Sequence, residues 1–235
     1  MRKSIIVLCF YFSLLSLSAQ RSSFVELDYG AIKKAISDSN SSSYYPKLMK
    51  RYLDFDTTLT LDEFRLLYYG YIYQNDYDPY NKQMENNALS VYLEKDKLTL
   101  ADCEKIIAFA NISMTEKPFH FHNLRMAIYA YHMKGEKKEA ENRIAMLKGI
   151  MNAILSSGDG KSLRTAFHVI FTIHEYEIVN YLGYNAENQE LKSVWDVIYL
   201  SKNKDKLPAL YFNVEEMQGA YYERNKQINS GRQKE

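Results

Sequence analysis

The chain has 235 residues, with 30 Lys and Arg against 29 Asp and Glu, and two cysteines. Such a balance argues against nucleic acid as a partner. The one basic cluster, Lys202 to Lys206, is interrupted by Asp205, and phosphate recognition needs a basic excess. The length suits one sizeable domain with a real core.

Residues 1–20 read as a secretory signal peptide. Arg2 and Lys3 give a positive start. Ile5 to Leu17 is an apolar run broken only by Ser13 and Ser16. Small residues around Ser18 and Ala19 supply a cleavage site after Ala19 or Gln20. The run is too short for a spanning helix, which needs about 20 apolar residues, and it stops at Gln20-Arg21-Ser22-Ser23. No later stretch is apolar for long enough to span a bilayer. Processing leaves 28 basic groups facing 29 acidic ones, and Cys103 as the single thiol. The mature chain is expected in the periplasm or outside the cell, without an internal disulfide.

Residues 24 to 156 predict helices. Asp28 caps a helix through Ser37, with Ile32 and Ile36 four apart. Pro46 suits the first turn of the next, which aligns Leu48, Tyr52 and Phe55. Thr60 and Glu63 form a capping box ahead of Phe64, Leu67, Tyr68 and Tyr71. A loop rich in Asn, Asp and Pro covers Gln74 to Lys82, and a helix is expected over Met84 to Glu94. Thr99 and Asp102 open another helix carrying Cys103, Ile106, Ile107 and Ala110. The copies Leu59-Thr60-Leu61 and Leu98-Thr99-Leu100, 39 residues apart, hint at a duplicated helical hairpin. Asn123 to Met133 and Glu136 to Ser156 form a hairpin joined at Gly135. Its Tyr131, Gly135, Ala140, Ile144 and Leu147 follow part of a tetratricopeptide spacing.

The character changes after Ser156-Ser157-Gly158-Asp159-Gly160. Strands are expected at Thr165 to Ile173, Glu175 to Leu182, Val194 to Leu200 and Leu207 to Phe212, in an antiparallel meander. The second of these also fits a helix. Asn213 and Glu216 cap a final helix to about Asn225, and residues 226–235 form a polar tail. The fold class is α+β: antiparallel helical hairpins packed with a four-stranded sheet. A single domain spans 21–225, with a helical part at 24–156 and a sheet part at 162–225.

The chemistry is sparse. Gly160-Lys161-Ser162 lacks the earlier glycine of a phosphate loop, since Leu155 stands there, and it follows a helix. His120 and His122 have no ligand-spaced carboxylate or cysteine beside them. His168 and His174 lie about 20 Å apart on a regular strand, too far to share a metal. No nucleophile motif is visible, Cys103 sits among apolar neighbours, and no cofactor or metal is called for. The remaining signal is tyrosine, 21 in the chain, with a concentration between Tyr68 and Tyr80. Tyr73, Asp76, Tyr77, Asp78 and Tyr80 are the candidate contact residues, because aromatic faces beside carboxylates suit sugars and protein partners alike. A non-catalytic binding or scaffolding protein of the cell envelope, acting on an envelope protein or glycan, is the favoured expectation. The alternative is a hydrolase-like envelope enzyme with its site around His168 and His174.

Tyr44-Tyr45-Pro46, Asp56-Thr57-Thr58-Leu59-Thr60 and Leu67-Tyr68-Tyr69-Gly70, with Phe167-His168-Val169-Ile170, Glu175-Tyr176-Glu177, Leu182-Gly183 and Tyr211-Phe212-Asn213-Val214, resemble an uncharacterised family of exported Bacteroidetes proteins, DUF4919. The resemblance spans most of the mature chain and implies an envelope location, without an activity. Asp56-Thr57-Thr58 is also similar to the O-glycosylation sequon of those bacteria.

Overall fold

A computed structural model describes residues 24–80, 89–93, 95 and 97–232. Local side-chain chemistry starts most of its helices. Helix α1 (Tyr29–Ser37) begins where the Asp28 carboxylate accepts from the Ala31 N–H at 2.9 Å. Helix α2 (Tyr45–Leu53) has Pro46 in its first turn. Helix α3 (Leu61–Gly70) opens on the Thr60–Glu63 capping box and runs into a 3-10 turn, Tyr71–Tyr73. Of the helix expected over Met84 to Glu94, a short turn at Ser90–Leu93 falls within the described residues. Most of the remainder lies outside them.

Helix α4 (Leu100–Glu116) repeats the capping box with Thr99 and Asp102. Helices α5 (Phe121–Lys134) and α6 (Lys137–Leu155) form the expected hairpin around Gly135, whose φ of 79° is left-handed and suits glycine. Strand β1 (Phe167–His168), helix α7 (Ile173–Tyr181), strands β2 (Ala186–Lys192), β3 (Trp195–Leu200) and β4 (Ala209–Asn213), and helix α8 (Glu215–Arg232) complete the α+β fold. The last helix runs past Asn225 to Arg232.

The sheet order is β1-β4-β3-β2. β2, β3 and β4 form an antiparallel meander, but β1 pairs with β4 in parallel, so the sheet is mixed. Two strand expectations need correction, and one strand was not among those expected. Thr165 to Ile173 contributes two strand residues. Glu175 to Leu182 is helical instead, because His174, Glu175, Ile178 and Val179 are its buried residues, a stripe at helical spacing. The polar segment 186–192 is a strand at the sheet edge, all but one of its residues exposed.

The larger core joins α1, α2, α3 and α6 to the sheet and α7, with Leu67, Tyr68, Ile150, Ile198 and Phe212 wholly or nearly buried. Each such apolar side chain contributes roughly 1.5–3 kcal/mol. Gly149 lets α3 and α6 approach, since a Cβ there would run into the Phe64 ring. A smaller cluster lies between α4, α5 and Leu89, and it holds Cys103.

Candidate functional site

The Gln74–Tyr80 loop is tied down from inside. Tyr77 is 2% exposed and donates its hydroxyl to the Ile170 carbonyl at 2.6 Å. Arg224 of α8 donates to the Tyr77 carbonyl. Tyr73 donates to the Tyr29 carbonyl at 3.1 Å and carries the Lys33 ammonium over its ring. Tyr71 donates to Asp76 Oδ2 at 2.8 Å. Tyr77 and Tyr73 are thus anchors, and the outward contact surface of the loop narrows to Asp76, Asp78 and Tyr80. Asp76 and Asp78 face a small cavity of about 20 Å³ that Glu116 and Lys117 also line.

Tyr80 points elsewhere. It is 42% exposed, and its ring meets that of Tyr221 edge-on at 4.7 Å. Tyr221 in turn contacts Tyr222, which is 70% exposed. The turn Asp78 Oδ1···H–N Tyr80, at 3.2 Å, fixes the loop end. Tyr222 also lines an open groove of about 880 Å³ with Gln74, Asn75, Glu216 and Arg224. A platform of tyrosine rings therefore stands beside a groove rimmed by amides and charges.

Within electrostatic reach of Tyr80 lies a feature that no local sequence pattern signals. Glu175 on α7 is 0% exposed and Asp196 on β3 is 5% exposed. The two carboxyl groups meet at hydrogen-bonding range. Gln189 on β2 donates to Glu175 Oε2 at 3.1 Å and accepts from the Tyr176 hydroxyl at 2.6 Å. Burial first, then the Asp196 charge, push the Glu175 carboxyl well above its usual range. Burial, then Tyr222, Tyr221, Asp196 and Glu175 in that order, raise the Tyr80 hydroxyl, so the platform lies within electrostatic reach of the pair.

The histidines are occupied otherwise. His174 is buried against Phe121, rings stacked at 4.3 Å. Its Nδ1 lies 2.8 Å from the Tyr68 hydroxyl and its Nε2 3.0 Å from the Phe119 carbonyl. Burial pushes its pKa down to about 3 and that of His168 down to about 4, Arg65 adding to the latter. Among the described residues no carboxylate hydrogen-bonds to either ring, and the geometry lends a hydrolase-like site there no support. His120 caps α5 by accepting from the Asn123 N–H at 3.4 Å. Among the described residues no three His, Cys, Asp or Glu side chains group as metal ligands. The Gly160-Lys161-Ser162 turn is filled by its own acid: Asp159 Oδ1 accepts from the Lys161 N–H at 3.0 Å and from Thr165 at 2.6 Å. A carboxylate in that place would repel phosphate.

The fold and site define an α+β protein with an exposed group of tyrosine rings and a buried carboxyl pair. Among the described residues no helix is long and apolar enough to cross a membrane. The chain belongs to the family described as a domain of unknown function, DUF4919, whose model matches residues 30–223. Neither a curated protein nor a solved structure matches it.

Proposed function

We propose that this is an exported, non-catalytic binding protein of the bacterial cell envelope, and that its platform of Tyr80, Tyr221 and Tyr222 receives an envelope glycan. The observation that carries this is the exposure of Tyr80 and Tyr222 above an anchored base, next to a groove lined by Gln74, Asn75 and Glu216. Rings supply large contact area at low entropy cost, and planar amides and carboxylates match sugar hydroxyls. Anchoring by Tyr77 and Arg224 keeps the surface rigid, which lowers the ordering cost of binding.

The test changes Tyr80 and Tyr222 together to Ala. Tyr77 is left alone, because its loss would damage the core. Cosedimentation with purified envelope polysaccharide should weaken at least about tenfold, as expected when central aromatic contacts are removed. The melting temperature should shift by no more than about 2 °C, as for surface substitutions. Unchanged cosedimentation would remove the platform as the contact surface.

Export has its own check. The signal segment accounts for the apolar run before Gln20, and protein recovered from cells should begin at Gln20 or Arg21. An intact Met1 on that protein would sink the export reading.

A further inference from the structure

Two buried oxygens in the α7–sheet interface have no hydrogen-bond partner as carboxylates: Glu175 Oε1 and Asp196 Oδ1. Buried polar atoms are nearly always paired, so each orphan calls for a reason. Both belong to side chains that meet each other, and the other Glu175 oxygen is already taken by Gln189. Two ionised carboxylates at this range in a dry interface repel strongly. One proton on Glu175 Oε1, donated to Asp196, satisfies both orphans and removes the repulsion.

We propose that Glu175 keeps a proton and donates it to Asp196, and that this hydrogen bond fastens α7 to the β2–β3 hairpin, so that the hairpin loosens as the pH rises. The element it secures lies at one edge of the sheet. β2 is an edge strand with one neighbour, β3, and its side chains are mostly exposed. Gln189, its one half-buried residue, reaches α7 through the hydrogen bonds to Glu175 and Tyr176. The other titratable groups that feel Glu175 are Tyr176 from α7 itself, Tyr80 from the loop and Tyr68 from α3. His174, beside it on α7, is held neutral by burial. The usual remedy of a paired cation is thus replaced by a proton. When the hairpin opens, Glu175 returns to water and to its ordinary acidity, and the proton leaves to solvent. Between that ordinary value and the raised one, opening is favoured about tenfold more for each pH unit.

Amide-exchange protection factors of 186–200, followed from pH 5.5 to 7.5, test this. In the wild type they should fall about tenfold per pH unit, while those of α4 and α5 stay level. Glu175→Gln supplies a permanent N–H toward Asp196 and still accepts from Gln189, so its hairpin protection should be flat with pH. Asp196→Asn removes the neighbouring charge but leaves the Glu175 carboxyl buried, so the pH slope should persist in that variant. The infrared C=O stretch of a protonated carboxyl should be present at pH 7 in the wild type and absent in Glu175→Gln. A flat wild-type profile, or an equal slope in α4 and α5, overturns the latch. So does a rise in protection on adding Ca²⁺ or Zn²⁺, which would make the neutralising partner a metal.

Discussion

Replacing Arg143 by Ala lowers the unfolding free energy by about 3–5 kcal/mol, read from urea unfolding. Arg143 lies on α6 and is almost wholly buried. Its guanidinium is held between two rings, 4.0 Å from the Phe55 centroid and 4.2 Å from that of Tyr131. Nη2 donates to Asn111 Oδ1 at 3.0 Å, and Nη1 donates to the Glu139 carboxylate at 2.8 Å. One side chain thereby joins the segment after α2, helices α4 and α5, and its own helix. Desolvated cation–π contacts contribute about 2 kcal/mol each, and removal also leaves a cavity between the rings. Burying a guanidinium carries a desolvation cost, so Arg143→Met, which fills the space without the charge, should lose only about 1–2 kcal/mol. Arg143→Lys should fall between them, since an ammonium cannot lie flat between two rings and bond Asn111 and Glu139 together. An Ala variant within about 1 kcal/mol of wild type would show that the rings pack as well without it.

That residue also shows where the sequence falls silent. Glu139 and Arg143, four apart on a helix, look like an exposed surface pair. Nothing local says that Phe55 and Tyr131 close over the charge. By contrast, Asp28, Thr60 with Glu63, Thr99 with Asp102, and Gly135 all act on backbone within a few residues, and each marks its helix boundary correctly. The strands were harder. The segment 186–192 holds no β-branched residue, and it is a strand because β3 offers its backbone groups. Phe167 and His168 pair with β4 in parallel, a partner more than 40 residues on, which periodicity cannot reveal. The α7 segment carried its helical stripe all along, but a short apolar run also fits a strand. Of the candidate loop residues, Tyr80 is exposed, whereas Tyr77 is drawn inward by the Ile170 carbonyl, which no local pattern reveals. Glu175 and Asp196 meet only because α7 packs on the sheet, so no spacing rule could join them.

Replacing His174 by Gln should cost about 2–4 kcal/mol at pH 7, and this cost should shrink by about 3 kcal/mol when the comparison is made at pH 4. The Phe119 carbonyl can only accept, so the neutral ring carries its hydrogen on Nε2, and the Tyr68 hydroxyl, which accepts from the Ile170 N–H at 3.2 Å, donates to Nδ1. Nδ1 must then be an acceptor, and Nε2–H donates to the Phe119 carbonyl. The neutral ring satisfies four groups and stacks on Phe121. A Gln amide reaches one of the two partners and loses the stack. Protonating the imidazole places an N–H against the Tyr68 O–H and a charge in an apolar interior, which is why burial holds the folded pKa down to about 3. The unfolded chain titrates near 6.5. A depressed pKa gives stability that is present above the unfolded value and is lost as the pH falls through the folded one, so the window runs from about 6.5 down to about 3. His168 loses stability over a similar range and Glu175 acts in the opposite sense, but both are common to the two proteins and cancel in the difference. Urea unfolding of wild type and variant at pH 7, 5.5 and 4 measures it. A difference that does not change with pH would mean that His174 titrates normally in the fold, with a ring nitrogen open to water and free to exchange protons.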